Sequence, residues 1–487
     1  MNQDNGGVIG KINTPTTLVA SGVWSIQDQF EAQSSSTWPL AFPQTTIANS
    51  CRFDDGSSDS LYKTFSGNGN RKTFTFSAWV KRGIVSSGDH CLIATSVSAS
   101  DDNTMELFFQ GGDKLAVGRY YNYNLITNAL FRDLSAWYHI VLACDTTQST
   151  AANRMRLYVN GSEITSFATA SYPSQNDDLP LLAGSQRINI AAQYYTHLSQ
   201  NTRFLDGYMT EVIMVDGQQL TPTSFGATNP ITNIWEPIAY AGTYGTNGYK
   251  LNFSDSSNLG DDTSGNANDW TVSNLTSIDQ STDTCSNNFC TLNSIDSGTI
   301  TFSDGNLTVV SGSDYHATKG TIGVNTGKWY FEVKMNASTG GQNVADQFIG
   351  ITGDNTPVTG ATYDNNPSVI YGGSSGIIDK DGTNTQTGLT EFSSGQIIGV
   401  ALNMDDLEIE FYNNGTKQGS TQSISSFTGS YLPFYIGANA RSSSFNFGAP
   451  PYTISSGNAD ANGFGNFEYA VPSGYFALNT KNLSEFG

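Results

Sequence analysis

The chain has 487 residues, enough for two or three domains with cores of their own. Charged residues make up 13%, against about 25% in an average soluble protein, and 43 acids against 22 bases give a net charge of −21. That balance excludes a nucleic-acid binder working through clustered Lys and Arg, and 37% hydrophobic with 12% aromatic residues excludes a disordered chain.

The first apolar pattern along the chain is Val23 and Trp24 followed by Ile26 and Phe30, four apart. It predicts one short helix in WSIQDQFEAQ, too short to stand alone. Residues 1–45 carry Pro15, Pro39 and Pro43 and read as a separate N-terminal segment. Period-two alternation then takes over. Phe74, Phe76, Ala78 and Val80 share one strand face, and Thr75, Ser77 and Trp79 the other. Tyr138 to Cys144 is apolar on nearly both faces, as in a sandwich-core strand. Met155, Leu157 and Val159 point inward, and Asn160-Gly161 supplies the two positive φ angles of a tight hairpin. Tyr208 to Val215 is a further strand, closed by Asp216-Gly217. Ser277 to Asn288 is polar and reads as a linker.

Beyond it, Phe331, Val333 and Met335 alternate with Tyr330, Glu332 and Lys334. Leu407, Ile409 and Phe411 alternate with Glu408, Glu410 and Tyr412, and Asn414-Gly415 closes that hairpin. The expected fold is all-β: two antiparallel β-sandwich (jelly-roll) domains, residues 46–285 and 290–487, after a short N-terminal segment containing one small helix.

No run of about 18 apolar residues is present, so no membrane insertion is expected. The opening MNQDNGGVIG lacks the basic and apolar regions of a secretory signal. Cys51, Cys91, Cys144, Cys285 and Cys290 are an odd, scattered set without CxxC, expected to be free thiols.

Catalytic patterns fail on their context. Ser374 in Gly372-Gly373-Ser374-Ser375-Gly376 satisfies GxSxG, but no helix pattern and no later His follow, so it reads as a loop. His90, His139, His197 and His316 show no metal-ligand spacing, and His139 reads as a structural residue within a strand. GTIGVNTGK (Gly320 to Lys328) has the wrong spacing for a phosphate loop and reads as a turn entering a strand.

Two patterns bear on binding. Asp261, Asp262, Asn266 and Asp269 crowd oxygen donors onto one loop, as a hard cation wants, so calcium is a candidate there; Asx-rich turns form equally well without metal. No other cofactor is expected. Tyr120, Tyr121 and Tyr123 in RYYNYN, with Tyr194 and Tyr195, offer aromatic faces beside amides, which suit sugar rings. The competing reading is a covered strand face or a subunit contact.

The segments FTFSAWVKR (Phe74 to Arg82), AWYHIVLACD (Ala136 to Asp145), RLYVNGSEI (Arg156 to Ile164) and FLDGYMTEVIMVDGQQLTP (Phe204 to Pro222) resemble the laminin-G-like, concanavalin-A-like jelly roll over most of 52–222. Tyr249 to Trp270 is similar to the opening strand and loop of such a domain, here placed after its body. GKWYFEV (Gly327 to Val333), FIGI (Phe348 to Ile351), IIGVALNMDD (Ile397 to Asp406), IEFYNNG (Ile409 to Gly415), LPFYIG (Leu432 to Gly437) and FNFG (Phe445 to Gly448) resemble a SPRY domain over about 300–480. Both resemblances imply two-sheet sandwiches that bind through loops and are not catalytic by default. Gly7 to Gln33 and Pro472 to Leu483 resemble segments of bacteriophage virion proteins, especially of marine phages.

These resemblances imply a non-enzymatic virion structural protein, a tail fibre or receptor-binding protein that contacts host cell-surface glycan or protein. It is expected on the virion, assembled in the host cytoplasm. Residues 1–45 would dock to other virion proteins through Trp24, Ile26 and Phe30. By family analogy the chain would be a homo-oligomer, a trimer first. The alternatives are a capsid-decoration or connector protein without ligand, and a polysaccharide depolymerase. A depolymerase needs two carboxylates about 5 to 9.5 Å apart across a cleft, and no such pair is recognisable.

Overall fold

Alternation along each strand decides which face is buried, and two stacked pairs of sheets result. In this computed structural model the described residues are 45–85, 88–96, 104–119, 123–196, 198–230, 232–336, 346–358, 367–373, 376–424 and 429–487. Trp24, Ile26, Phe30, Tyr120, Tyr121, His197, Ser374 and the side chain of Tyr123 lie outside them.

The first pair of sheets is antiparallel throughout. One sheet runs Ser162–Glu163, Met155–Val159, Trp137–Asp145, Thr73–Arg82, Gly207–Asp216, Ser50–Phe53, Gln280–Ser281. The other, called here the outer sheet, runs Phe167–Ser171, Tyr123–Leu130, Lys114–Arg119, Glu106–Gln110, His90–Thr95, Arg187–Ile190, Ser60–Thr64, Thr271–Ser273. Between them Phe74, Phe76, Ala78 and Val80 pack with Ile140, Leu142 and Cys144 from one side and Leu61, Ile93, Leu107 and Ile190 from the other. Tyr249–Leu251 pairs with Gly207–Asp216, so the strand that follows the domain's body is stitched back into it. Asn160 and Gly161 adopt φ of 48° and 80°, as the tight hairpin requires.

Tyr138 to Cys144 is apolar on both faces because both are covered. Its inner residues face the core, while Val141 and Ala143 pack with Tyr158, Ile213, Val215 and Phe225 beneath the segment carrying Leu220, Tyr240 and Tyr244. His139 sits on this covered face. Its ring stacks on Trp79 at 4.7 Å. The indole Nε1 of Trp235 donates to His139 Nδ1 at 3.0 Å, which puts the ring proton on Nε2, 2.9 Å from Ser77 Oγ. Burial pushes its pKa down to about 3, so it is a neutral structural histidine. All five cysteines are free thiols.

The second pair repeats the plan. One sheet runs Leu292–Ser297, His316–Gly320, Tyr431–Gly437, Gln347–Gly353, Ser368–Gly372, Ile377–Lys380, Thr383–Gln386. Its partner runs Ile300–Ser303, Thr308–Ser311, Ser442–Asn446, Lys328–Met335, Ile397–Asn403, Glu408–Asn413, Thr416–Ser423. Phe331, Val333, Met335, Ile409 and Phe411 face the shared core. Leu407 instead occupies the turn before its strand, at φ 56°.

Two expectations need correction. Lys328–Met335 reads as a half-buried strand, yet its outward residues Tyr330 and Glu332 do not face water, while Lys334 stays partly exposed. Tyr330 packs with Phe467 and Ala477 under the C-terminal segment. Glu332 is fully buried and accepts from the backbone N–H of Glu468 and of Tyr469, each at 2.8 Å. That segment ends in a helix, Thr480–Phe486, capped by Asn479, whose side chain accepts from Asn482 N at 3.0 Å. The polar stretch Ser277 to Asn288 is not a loose linker either. Asp283 and Thr284 are buried in it, and Lys81 Nζ donates to Asp283 Oδ2 and Asn288 Oδ1, each at 2.8 Å. Tyr208 Oη reaches Gly305 O at 3.0 Å, and Arg52 bridges Ile278 O and Pro450 O. Polar side chains here form a clasp between the two sandwiches because each finds a partner when buried.

Candidate functional site

Strand register across the outer sheet places successive residues on opposite faces. Leu61, Ile190, Ile93, Leu107, Val117 and Leu125 are register neighbours in turn, and all lie in the core. The adjacent row, on the face turned away from the core, reads Thr271, Tyr62, Asn189, Ala94, Glu106, Gly118, Asn124, Ser171. A small antiparallel hairpin, Gln193–Tyr195 with Gln200–Thr202, packs against His90–Thr95 and Arg187–Ile190.

That hairpin builds the most elaborated cluster on this face. The Arg187 guanidinium lies 3.8 Å from the ring centre of Tyr62 and 4.0 Å from that of Tyr194, stacked between the two. One of its edges is fixed by amides: Nε donates to Asn189 Oδ1 at 3.0 Å and Nη2 to Asn201 Oδ1 at 3.4 Å. Asn189 Nδ2 donates to the same Asn201 oxygen at 3.2 Å, and Asn201 Nδ2 to Ser60 Oγ at 3.1 Å. Tyr62, Arg187, Tyr194 and Asn201 are half-buried, whereas Asn189 is fully buried beneath them. The tyrosine hydroxyls form no hydrogen bond among the described residues, so they remain available as donors and acceptors. Burial lowers the Arg187 pKa and the flanking tyrosines oppose that, leaving a cation held rigidly between two aromatic plates.

A second arginine on this face behaves differently. Arg203 Nη1 meets both carboxylate oxygens of Glu106, at 2.9 and 2.8 Å, and its Nη2 lies 3.4 Å from Asp89. Its charge is therefore neutralised.

Of the expected tyrosines, Tyr194 and Tyr195 have described side chains, and these two separate. Tyr194 joins Tyr62 and Arg187, whereas Tyr195 lies toward Arg203. Sequence reading missed Tyr62, Arg187, Asn189 and Asn201. The signal existed in part: in Arg187-Ile188-Asn189-Ile190 and Ser60-Leu61-Tyr62 the polar and aromatic residues alternate with core residues. Nothing local shows that these two strands are neighbours.

The Asp/Asn-rich loop is folded by its own hydrogen bonds. Asp262 Oδ1 accepts from Lys250 N and Ser264 N, each at 2.9 Å. Its Oδ2 accepts from Ser264 Oγ at 2.9 Å and Asn268 N at 2.8 Å. Asp269 Oδ1 accepts from Asp262 N, Asn266 Nδ2 donates to Gly245 O and Gly248 O, and Asp261 is half-buried. Lys63 Nζ sits 2.9 Å from Asp269 O and supplies positive charge to the loop. Among the described residues no three His, Cys, Asp or Glu side chains converge as metal ligands.

A groove of about 300 Å³ between the sandwiches is lined by Ile278, Gln280, Pro450, Tyr452 and Ile454, and among the described residues no carboxylate lines it.

Comparison with known families agrees with this architecture. Residues 55–223 match the family described as the concanavalin A-like lectin/glucanases superfamily, and residues 328–450 match the SPRY domain family. No curated protein matches the chain. Among solved structures, the SPRY domain of human HERC1 is similar at 18% identity over 32% of this chain and 96% of that one, with a TM-score of 0.27. A heptameric SAP-like pentraxin from Limulus polyphemus is similar at 13% identity over 36% of this chain and 80% of that one, also with a TM-score of 0.27. The chain therefore carries a concanavalin A-like domain over residues 55–223, followed by a SPRY domain over residues 328–450.

Proposed function

We propose that this is a non-catalytic glycan-binding protein of a bacteriophage particle, a tail fibre or receptor-binding protein whose lectin-type domain contacts host-surface saccharide. The observation that carries the binding part is the pairing of Tyr62 and Tyr194 rings with a hydrogen-bonded amide network on one open sheet face. Sugars offer apolar C–H faces and hydroxyl edges, which rings and amides recognise respectively. The net charge of −21 disfavours unspecific adhesion to anionic envelopes and leaves specific contacts to do the selecting. Titration of purified host envelope polysaccharides should show binding by the full chain. Tyr194→Ala should weaken it by about fivefold to thirtyfold, the 1–2 kcal/mol typical of an important contact residue. Unchanged affinity would remove this face from the reading.

The particle assignment rests on the resemblance of Gly7 to Gln33 to virion proteins. Residues 1–45 dock the chain, with Trp24, Ile26 and Phe30 as the apolar contacts, and a symmetric trimer is the expected assembly. Particles produced with a chain lacking residues 1–45 should lack the protein when their composition is analysed by mass spectrometry. Normal incorporation would overturn the docking role.

A further inference from the structure

Arg187 is an unneutralised cation in a strongly acidic protein. It takes part in none of the ion pairs formed among the described residues. Its neighbour on the same face, Arg203, has two carboxylates. The rings stabilise the positive charge from both faces, but no acid beside it neutralises it, so the guanidinium can still pair with an anion.

The geometry defines what is left open. A guanidinium has two flat faces and two hydrogen-bonding edges. Tyr62 and Tyr194 occupy the faces. Asn189 and Asn201 occupy the edge made by Nε and Nη2. Nη1 has no partner among the described residues, and Nη2 keeps one proton. The remaining edge, Nη1 with Nη2, is a fork of two parallel N–H donors, the arrangement that receives a carboxylate through two hydrogen bonds. Stacking and amide bonds hold the fork in place beforehand, so little rotamer entropy is lost when an anion docks.

We propose that the Arg187 fork makes this face specific for carboxylate-bearing saccharides, uronic-acid units of an acidic polysaccharide, with the carboxylate on Nη1 and Nη2 and the sugar ring against Tyr62 or Tyr194. This rests on the saccharide-binding reading of the same face. The network Ser60–Asn201–Asn189 orients the arginine, and the free tyrosine hydroxyls meet the sugar's hydroxyls.

The test uses the full chain and paired probes: oligomers of galacturonic, glucuronic and mannuronic acid, each with its carboxyl-reduced neutral counterpart, measured by calorimetry. At least one acidic member should bind about 10-fold to 100-fold tighter than its neutral counterpart, the range of a charge-assisted contact. Arg187→Gln should abolish that preference, and Arg187→Lys, which keeps the charge and loses the fork, should retain only part of it. Equal binding of both members of every pair would overturn the carboxylate assignment and leave saccharide binding standing. Tighter binding of a sulfated neutral-sugar oligomer would likewise overturn it, in favour of a tetrahedral anion. Binding of no member of any pair would overturn both readings. The paired probes on the unsubstituted chain decide the matter even where a variant folds poorly.

Discussion

Replacing Lys81 with methionine is expected to destabilise the protein by about 3–5 kcal/mol, the largest effect of any single change considered. Lys81 and Asp283 are 1% and 2% exposed, and Nζ lies 2.8 Å from Asp283 Oδ2. The ammonium has three donors, and all three are used: Asp283 Oδ2, Asn288 Oδ1 and Phe289 O at 3.0 Å. The other Asp283 oxygen accepts from Trp137 Nε1 and Phe289 N, each at 3.2 Å. Methionine fills the space of the lysine stem but leaves the carboxylate buried without a cation. Because this clasp joins the first sandwich to the start of the second, the loss should also split one unfolding transition into two. Urea unfolding followed by tryptophan fluorescence and by far-UV circular dichroism checks both points. A loss below about 1 kcal/mol would show that the pair contributes no more than an exposed one does.

A second expected result concerns pH. Asp206→Asn should stabilise the protein by about 1–3 kcal/mol at pH 8 and by little near pH 4. Asp206 is 2% exposed and its Oδ1 has no hydrogen-bond partner. Burial raises its pKa well above the usual carboxylate value, and Asp55, Asp54 and Asp304 of the second sandwich raise it further. Asp59, which accepts from Asp54 N, is pushed up to about 6, mainly by burial. For an acid whose pKa is raised on folding, the folded state holds the proton longer. The stability it contributes is complete below the unfolded value of about 3.8 and is lost as pH rises through the folded value. His139 works in the opposite sense: with its pKa lowered by burial, it costs stability as pH falls below about 6.5 toward 3. Comparing the variant with the parent at each pH removes the His139 contribution, since both contain it. A gain that is the same at pH 4 and pH 8 would show that Asp206 is not ionising in a buried site.

Local chemistry determined a good part of this protein. Asparagine followed by glycine at 160–161 and 414–415 fixed two hairpins, because those residues accept positive φ where others are strained. Alternation fixed the inward faces of Thr73–Arg82 and Lys328–Met335, because the pleat sends successive side chains to opposite sides. The two-sandwich class followed from these short-range rules. Tertiary structure decided what the outward faces meet. Glu332 and Tyr330 look like solvent-facing residues until the C-terminal segment covers them. Asp283 looks like a linker residue until Lys81 arrives from a distant strand. Tyr194 gains meaning only when Arg187–Ile190 and Ser60–Thr64 become neighbours and bring Tyr62 and Arg187 beside it. A strand's own residues set its inward and outward faces, but which strand lies next to it is settled by the packing of the whole sheet. Contacts between neighbouring strands, including those that build this site, therefore have no signature in either stretch of sequence alone.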